Sequence, residues 1–124
     1  MAACGEGERS EVVLGIIELE DEKLRLTVPD RGIVGTPLRV GVGTFGDHCY
    51  SFESTEVDVT SNAATVVPFD RQRFDCPLGV IYVDHSTDVV FTTPGIKTVV
   101  IRGRKVRYES DEVVEKIYTV TVEQ

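Results

Sequence analysis

The stretch Val89-Val90-Phe91-Thr92-Thr93-Pro94-Gly95-Ile96-Lys97-Thr98-Val99-Val100-Ile101-Arg102 decides the fold. β-Branched and aromatic residues crowd both sides of Thr93-Pro94-Gly95. Such residues pack well on a pleated surface, and Pro-Gly is a strong turn signal, so the stretch reads as strand, tight corner, strand.

Working outward, the same two-residue period recurs. Lys116 to Glu123 sets Tyr118, Val120 and Val122 on one face against Thr119, Thr121 and Glu123 on the other, closing a hairpin with the strand that ends near Arg102. Upstream, Leu38, Val40 and Val42 alternate inward, while Gly41 and Gly43 leave bare backbone for a strand or an aromatic ring to approach. Leu24, Leu26 and Val28 line one face of a further strand, stopped by the turn Pro29-Asp30-Arg31-Gly32. Val12 to Leu19 reads as a strand buried on both sides.

Between these lie Thr44 to Tyr50, read as a loop, and Thr55 to Thr60, read as a strand with Val57 and Val59 inward. A short strand at Ala64 to Val67 stops at Pro68, and Phe69 to Asp75 reads as a polar loop. Leu78 to Val83 is a strand, and Asp84-His85-Ser86-Thr87 leads into the corner. Many short strands separated by turns every eight to twelve residues point to a two-sheet antiparallel structure.

The Pro-Gly corner between an apolar and an alternating strand resembles the sheet-to-sheet corner of immunoglobulin-like sandwiches. Leu26-Thr27-Val28-Pro29 followed by Val34-Gly35-Thr36-Pro37 is similar to the opening strands of bacterial immunoglobulin-like domains. The resemblance implies an all-β, immunoglobulin-like antiparallel two-sheet sandwich of seven to nine strands over residues 11–124. The chain has no Trp and no Tyr two residues before a second Cys, so it departs from antibody-type domains.

Composition narrows the function. The 124 residues suffice for one domain with its own core. A net charge of −8 repels a phosphate backbone, so nucleic acid is not an expected partner. No apolar run reaches the ~18 residues of a membrane span, and no Gly-rich phosphate loop is present. Residues 1–10 are small and polar and read as a flexible N-terminal segment. Within it, Ala2-Ala3-Cys4-Gly5 resembles the end of a bacterial lipoprotein signal, which implies Cys4 as a lipid-anchored residue, a tether, and an extracytoplasmic location: periplasmic, secreted or held at a membrane.

If the domain is secreted, Cys49 and Cys76 most simply form a disulfide between two loops, worth ~3–4 kcal/mol through restriction of the unfolded chain. The alternative is a metal-binding or thiol-dependent enzyme using His48, Cys49, Cys76 and His85, although their spacing matches no common zinc pattern. Nothing around either Cys lowers a thiol pKa or builds an oxyanion hole. His85 reads as satisfying a local hydrogen bond. Asp47, Asp70, Asp75, Asp84 and Asp88 read as solvated acidic surface, since no calcium-loop series is present. Arg102, Arg104, Lys105 and Arg107 form a basic cluster that guards a hairpin edge.

The expectation is a non-catalytic extracytoplasmic binding or structural accessory domain with no cofactor and no metal. Phe45, Tyr50, Phe52, Phe69 and Phe74 are the candidate binding residues, for a protein or surface-glycan partner. A third reading is a structural module of a surface assembly that pairs through an edge strand.

Overall fold

The computed structural model describes residues 10–17, 25–46, 49–74, 81–105 and 112–124. All regular structure among them is strand: β1 (Ser10–Leu14), β2 (Ile16–Ile17), β3 (Leu26–Thr27), β4 (Arg31–Ile33), β5 (Leu38–Gly46), β6 (Tyr50–Val59), β7 (Ala63–Arg73), β8 (Ile81–Asp84), β9 (Thr87–Val89), β10 (Gly95–Lys105) and β11 (Val113–Glu123). The protein is all-β. Its strands form one connected, curled sheet of mixed sense, and the expected purely antiparallel pairing gives way at three places. β10 runs parallel to β7 and to β2, and β11 runs parallel to β4.

The deciding corner is as the sequence reads. Val89 ends β9, Gly95 opens β10 with φ +129°, and β10 pairs with β11 in register from Gly95↔Val122 to Arg104↔Val113. A left-handed φ is open to glycine without steric cost, so Pro94-Gly95 turns the chain sharply. Inward alternation along β10 and β11 buries Val99, Ile101, Val120 and Val122 against Val40, Val42 and Val66.

Elsewhere non-local pairing overrides the local reading. Val12 is half exposed, because β1 is an edge strand with one face to solvent rather than a strand buried on both sides. Of the turn expected at Pro29-Asp30-Arg31-Gly32, Arg31 and Gly32 instead join Ile33 in a short strand on the edge of β11. The expected loops at Thr44 to Tyr50 and Phe69 to Asp75 are largely strand, since β5 runs to Gly46, β6 begins at Tyr50 and β7 continues to Arg73. Pro68 does not stop β7. It sits where β7 exchanges β10 for β1 and beside the bulge at Phe52/Ser54, positions that tolerate a missing N–H.

Gly15 marks the crossover of the first strand from β7 to β10. Its N–H donates to the Pro68 carbonyl at 2.9 Å and its carbonyl accepts from the Arg104 N–H at 2.7 Å. A Cβ at Gly15 would strike Thr44, and one at Gly103 would meet the Gly15 carbonyl oxygen at 2.7 Å, so both positions need bare backbone. The close approach expected at Gly43 is made by Arg25, and that at Gly41 by Thr27.

Candidate functional site

On three strands the inward alternation runs one step past the apolar core and ends on a polar residue. Val42 is followed inward by Thr44, Pro68 by Asp70, and Val83 by His85. These three side chains are fully enclosed and meet one another. Thr44 Oγ1 donates to Asp70 Oδ2 at 2.6 Å, and His85 Nε2 lies 2.6 Å from Asp70 Oδ1. Thr55, inward on β6, completes the chain at 2.8 Å from His85 Nδ1.

Local structure fixes the ring. Asp84 Oδ1 accepts the Ser86 N–H at 2.9 Å, breaking the strand between β8 and β9, while the His85 N–H still donates to the Val42 carbonyl at 2.7 Å. His85 therefore keeps its inward direction through the break. Hydrogen bonds from the Ser86 hydroxyl and backbone N–H hold the Asp84 carboxyl below its usual pKa. Phe52 lies over the imidazole at 4.8 Å between ring centres.

The order Thr55, His85, Asp70 has the connectivity of a hydroxyl, base and carboxylate relay. His85 and Asp70 have no exposed surface, both ring nitrogens are engaged, and neither depression described below is lined by any of the three residues. The network joins β5, β6, β7 and β8 where β6 and β8 share no backbone ladder, so side chains close the seam. A second tie holds the far end of that seam: the buried Lys97 donates to the Ser61 carbonyl at 2.5 Å and to Thr93 Oγ1 at 2.7 Å, with its ammonium 5.9 Å from the Phe91 ring centre.

This geometry corrects one reading. Asp70 is not part of a solvated acidic surface but an interior hydrogen-bond hub. In this structure both His85 nitrogens are engaged, by Asp70 and Thr55. His48, Cys76, Cys4, Asp47, Asp75 and Arg107 lie outside the described residues; Cys49 is buried in the turn just before β6. No group of three or more His, Cys, Asp or Glu side chains is placed to hold a metal ion among the described residues.

The candidate binding aromatics collect at one end of the molecule. Pairing sets Phe45 opposite Tyr82, Tyr50 opposite Gln72 and Phe52 opposite Asp70, with Phe74 just beyond the end of β7. Phe52 is 54% and Phe74 50% exposed, whereas Phe45, Tyr50 and Phe69 are half-buried. Tyr82, which the sequence does not single out, is exposed with its ring centre 6.0 Å from that of Phe45 and the Arg25 guanidinium 4.1 Å from it. An aromatic at an outward strand position was the available signal.

Two shallow depressions lie elsewhere. One, of about 630 Å³, is bounded by Glu56, Asp58, Thr65, Val67 and Arg102 on the outer sheet face. The other, of about 540 Å³, lies near Arg31, Arg39 and Glu123, whose arginines are already paired with Glu123 and Asp88. The basic cluster is likewise engaged, with Arg102 on Glu115 and Arg104 on the Leu14 carbonyl. No described helix is long and apolar enough to cross a membrane.

The chain matches no family model, and comparison with curated proteins and with solved structures finds no match.

Proposed function

We propose that this chain is a non-catalytic binding domain of an extracytoplasmic protein, immunoglobulin-like in its two-layer arrangement, which holds its partner at the aromatic end. The observation that carries the reading is the exposure of Phe52, Phe74 and Tyr82 near the ends of β6, β7 and β8, strands that the buried Asp70 and His85 network ties together. Exposed aromatics on a rigid support are typical recognition anchors. The Thr93-Pro94-Gly95 corner and the β10 and β11 hairpin support the immunoglobulin-like assignment.

A Cys49 to Cys76 disulfide and a lipid on Cys4 belong to the same reading. Thiol titration tests the first: one reactive thiol in the native protein and three after reduction support it, and three in both states overturn it.

The binding reading is tested by presenting purified domain to panels of surface glycans and extended peptides, with a Phe52→Ala/Phe74→Ala variant alongside. A ligand held at least about tenfold more tightly by the unsubstituted protein supports it. Equal behaviour of the two proteins across the panels, or turnover of a panel member that Thr55→Val abolishes, overturns it.

A further inference from the structure

We infer that two copies of this chain join edge to edge through β11, in an antiparallel pair whose two-fold axis passes at Ile117. The inference does not depend on the aromatic-end reading, since it uses another strand and its partner is a second copy.

The two edges of β11 are unequally used. One pairs with β10 from Val113 to Val122, whereas the other carries β4 from Thr121 to Glu123 and no further ladder. No third described strand runs alongside it. The Thr121 N–H, which donates to the Asp30 carbonyl at 2.9 Å, shows which residues aim their backbone at that second edge. By the alternation of an antiparallel ladder, Val113, Glu115, Ile117 and Thr119 aim theirs the same way. Among the described residues these groups have no hydrogen-bond partner, and no side-chain hydrogen bond or ion pair crosses that edge. An unpaired edge is a template for a further strand.

The outer face shows what the edge lacks. Ile117 lies opposite Val100 on β10, and Val100 opposite Thr65 on β7, so a row of side chains crosses the sheet and stops at Ile117. Ile117 is 62% exposed, with a ladder neighbour on one side alone. A second copy turned about this residue sets Ile117 against Ile117 and continues the row through Val100 and Thr65 beyond.

The charges select the register. Centred on Ile117, the pair places Glu115 opposite Thr119 and Lys116 opposite Tyr118, each twice, and the ladder spans Glu115 to Thr119. No like charges meet. Centring it one residue earlier sets Lys116 on Lys116, two earlier sets Glu115 on Glu115, and any later centre shortens the ladder against β4. Lys116, an inward charge of the kind that guards an edge, already lies 5.9 Å from its own Tyr118 ring centre and meets a second Tyr118 ring in this register. The contact is isologous, so it closes as a dimer. The net charge of −8 on each copy opposes the approach, and salt screens that repulsion.

The test is sedimentation equilibrium of the full chain over a roughly hundredfold concentration range reaching about 1 mM, with amide hydrogen exchange read along β11. Expected are a reversible monomer to dimer step that tightens as salt rises, and exchange at Glu115, Ile117 and Thr119 that slows with concentration. Ile117→Lys sets like charges opposite and should weaken the dimer at least about tenfold. Position 119 reads the register, because it faces Glu115 of the second copy: Thr119→Lys should tighten the dimer about fivefold and Thr119→Glu weaken it by as much. Thr92→Lys, the same change of charge at an exposed position outside β11, should leave the dimer within about twofold. A chain that stays monomeric throughout overturns the inference, as does protection confined to other strands. Equal effects of Thr119→Lys and Thr92→Lys also overturn it, and this comparison decides even if Ile117→Lys lowers the unfolding midpoint of the monomer.

Discussion

His85 Nε2 lies 2.6 Å from Asp70 Oδ1, and neither side chain has any exposed surface. Asp70 also accepts from Thr44, so one carboxylate satisfies two strands, and His85 passes the connection to Thr55 on a third. Removing one partner of such a pair strands the other in a low-dielectric interior. Asp70→Ala is expected to lower unfolding free energy by ~3–5 kcal/mol. Asp70→Asn, which keeps the acceptor for Thr44, should lose less. Urea unfolding of both, with His85→Ala and the double variant, measures the coupling; additive losses would show that the two residues do not act as a unit.

Lys97 is buried with no carboxylate partner among the described residues, its ammonium held by the Ser61 carbonyl and Thr93 hydroxyl. Lys97→Ala leaves a cavity and two unsatisfied oxygens and should cost ~2–4 kcal/mol. Lys97→Met fills the same space and should cost distinctly less. Chemical denaturation ranks the pair, and equal losses would mean that packing is not what Lys97 supplies.

Tyr118 packs against the core with its hydroxyl buried and without a hydrogen-bond partner among the described residues. Burial pushes its phenol above the usual tyrosine pKa, so the folded state prefers the neutral form. That preference contributes fully below the unfolded pKa near ~10 and is lost as pH rises through the higher folded value. Tyr118→Phe removes the unsatisfied hydroxyl and is expected to stabilise the protein by about 1 kcal/mol. It should also flatten the alkaline fall in stability; an unchanged pH profile of thermal unfolding would contradict this.

Gly103 lies beneath the Gly15 carbonyl and the Ile17 side chain. Gly103→Ala must push backbone against backbone and is expected to cost ~1–3 kcal/mol. Gly35→Ala is a control of another kind: nothing stands within 4 Å of the added carbon, but φ is +77°, so its loss comes from the backbone alone. Unfolding midpoints of the two variants separate these causes.

The residues of the buried network were partly legible. His85 falls on the same period as Val83 and Val89, and Asp70 on that of Val66 and Pro68, so extending each alternation by one step places both inward. Turn chemistry hid them. Asp84-His85-Ser86 has the composition of a turn, and Pro68 has that of a strand stop, yet pairing with β5 and with β6 carries the chain through each. Val57 and Val59 depart the other way: their period is inward, yet they are 37% and 41% exposed, because β6 is backed by a ladder on one side alone.

The sequence by itself determined that the chain is built of strands, where the Pro94-Gly95 corner turns, and which faces of β5, β10 and β11 are apolar. These follow from side-chain period and backbone sterics, which act over a few neighbouring residues. Only the tertiary structure decided that β10 lies parallel to β7, that Gly15 lets one strand cross over the Thr44 and Asp70 pair, and that β6 shares a backbone ladder with β7 but meets His85 through side chains. Those depend on which distant segments meet, and a local period carries no record of the strand that will lie beside it.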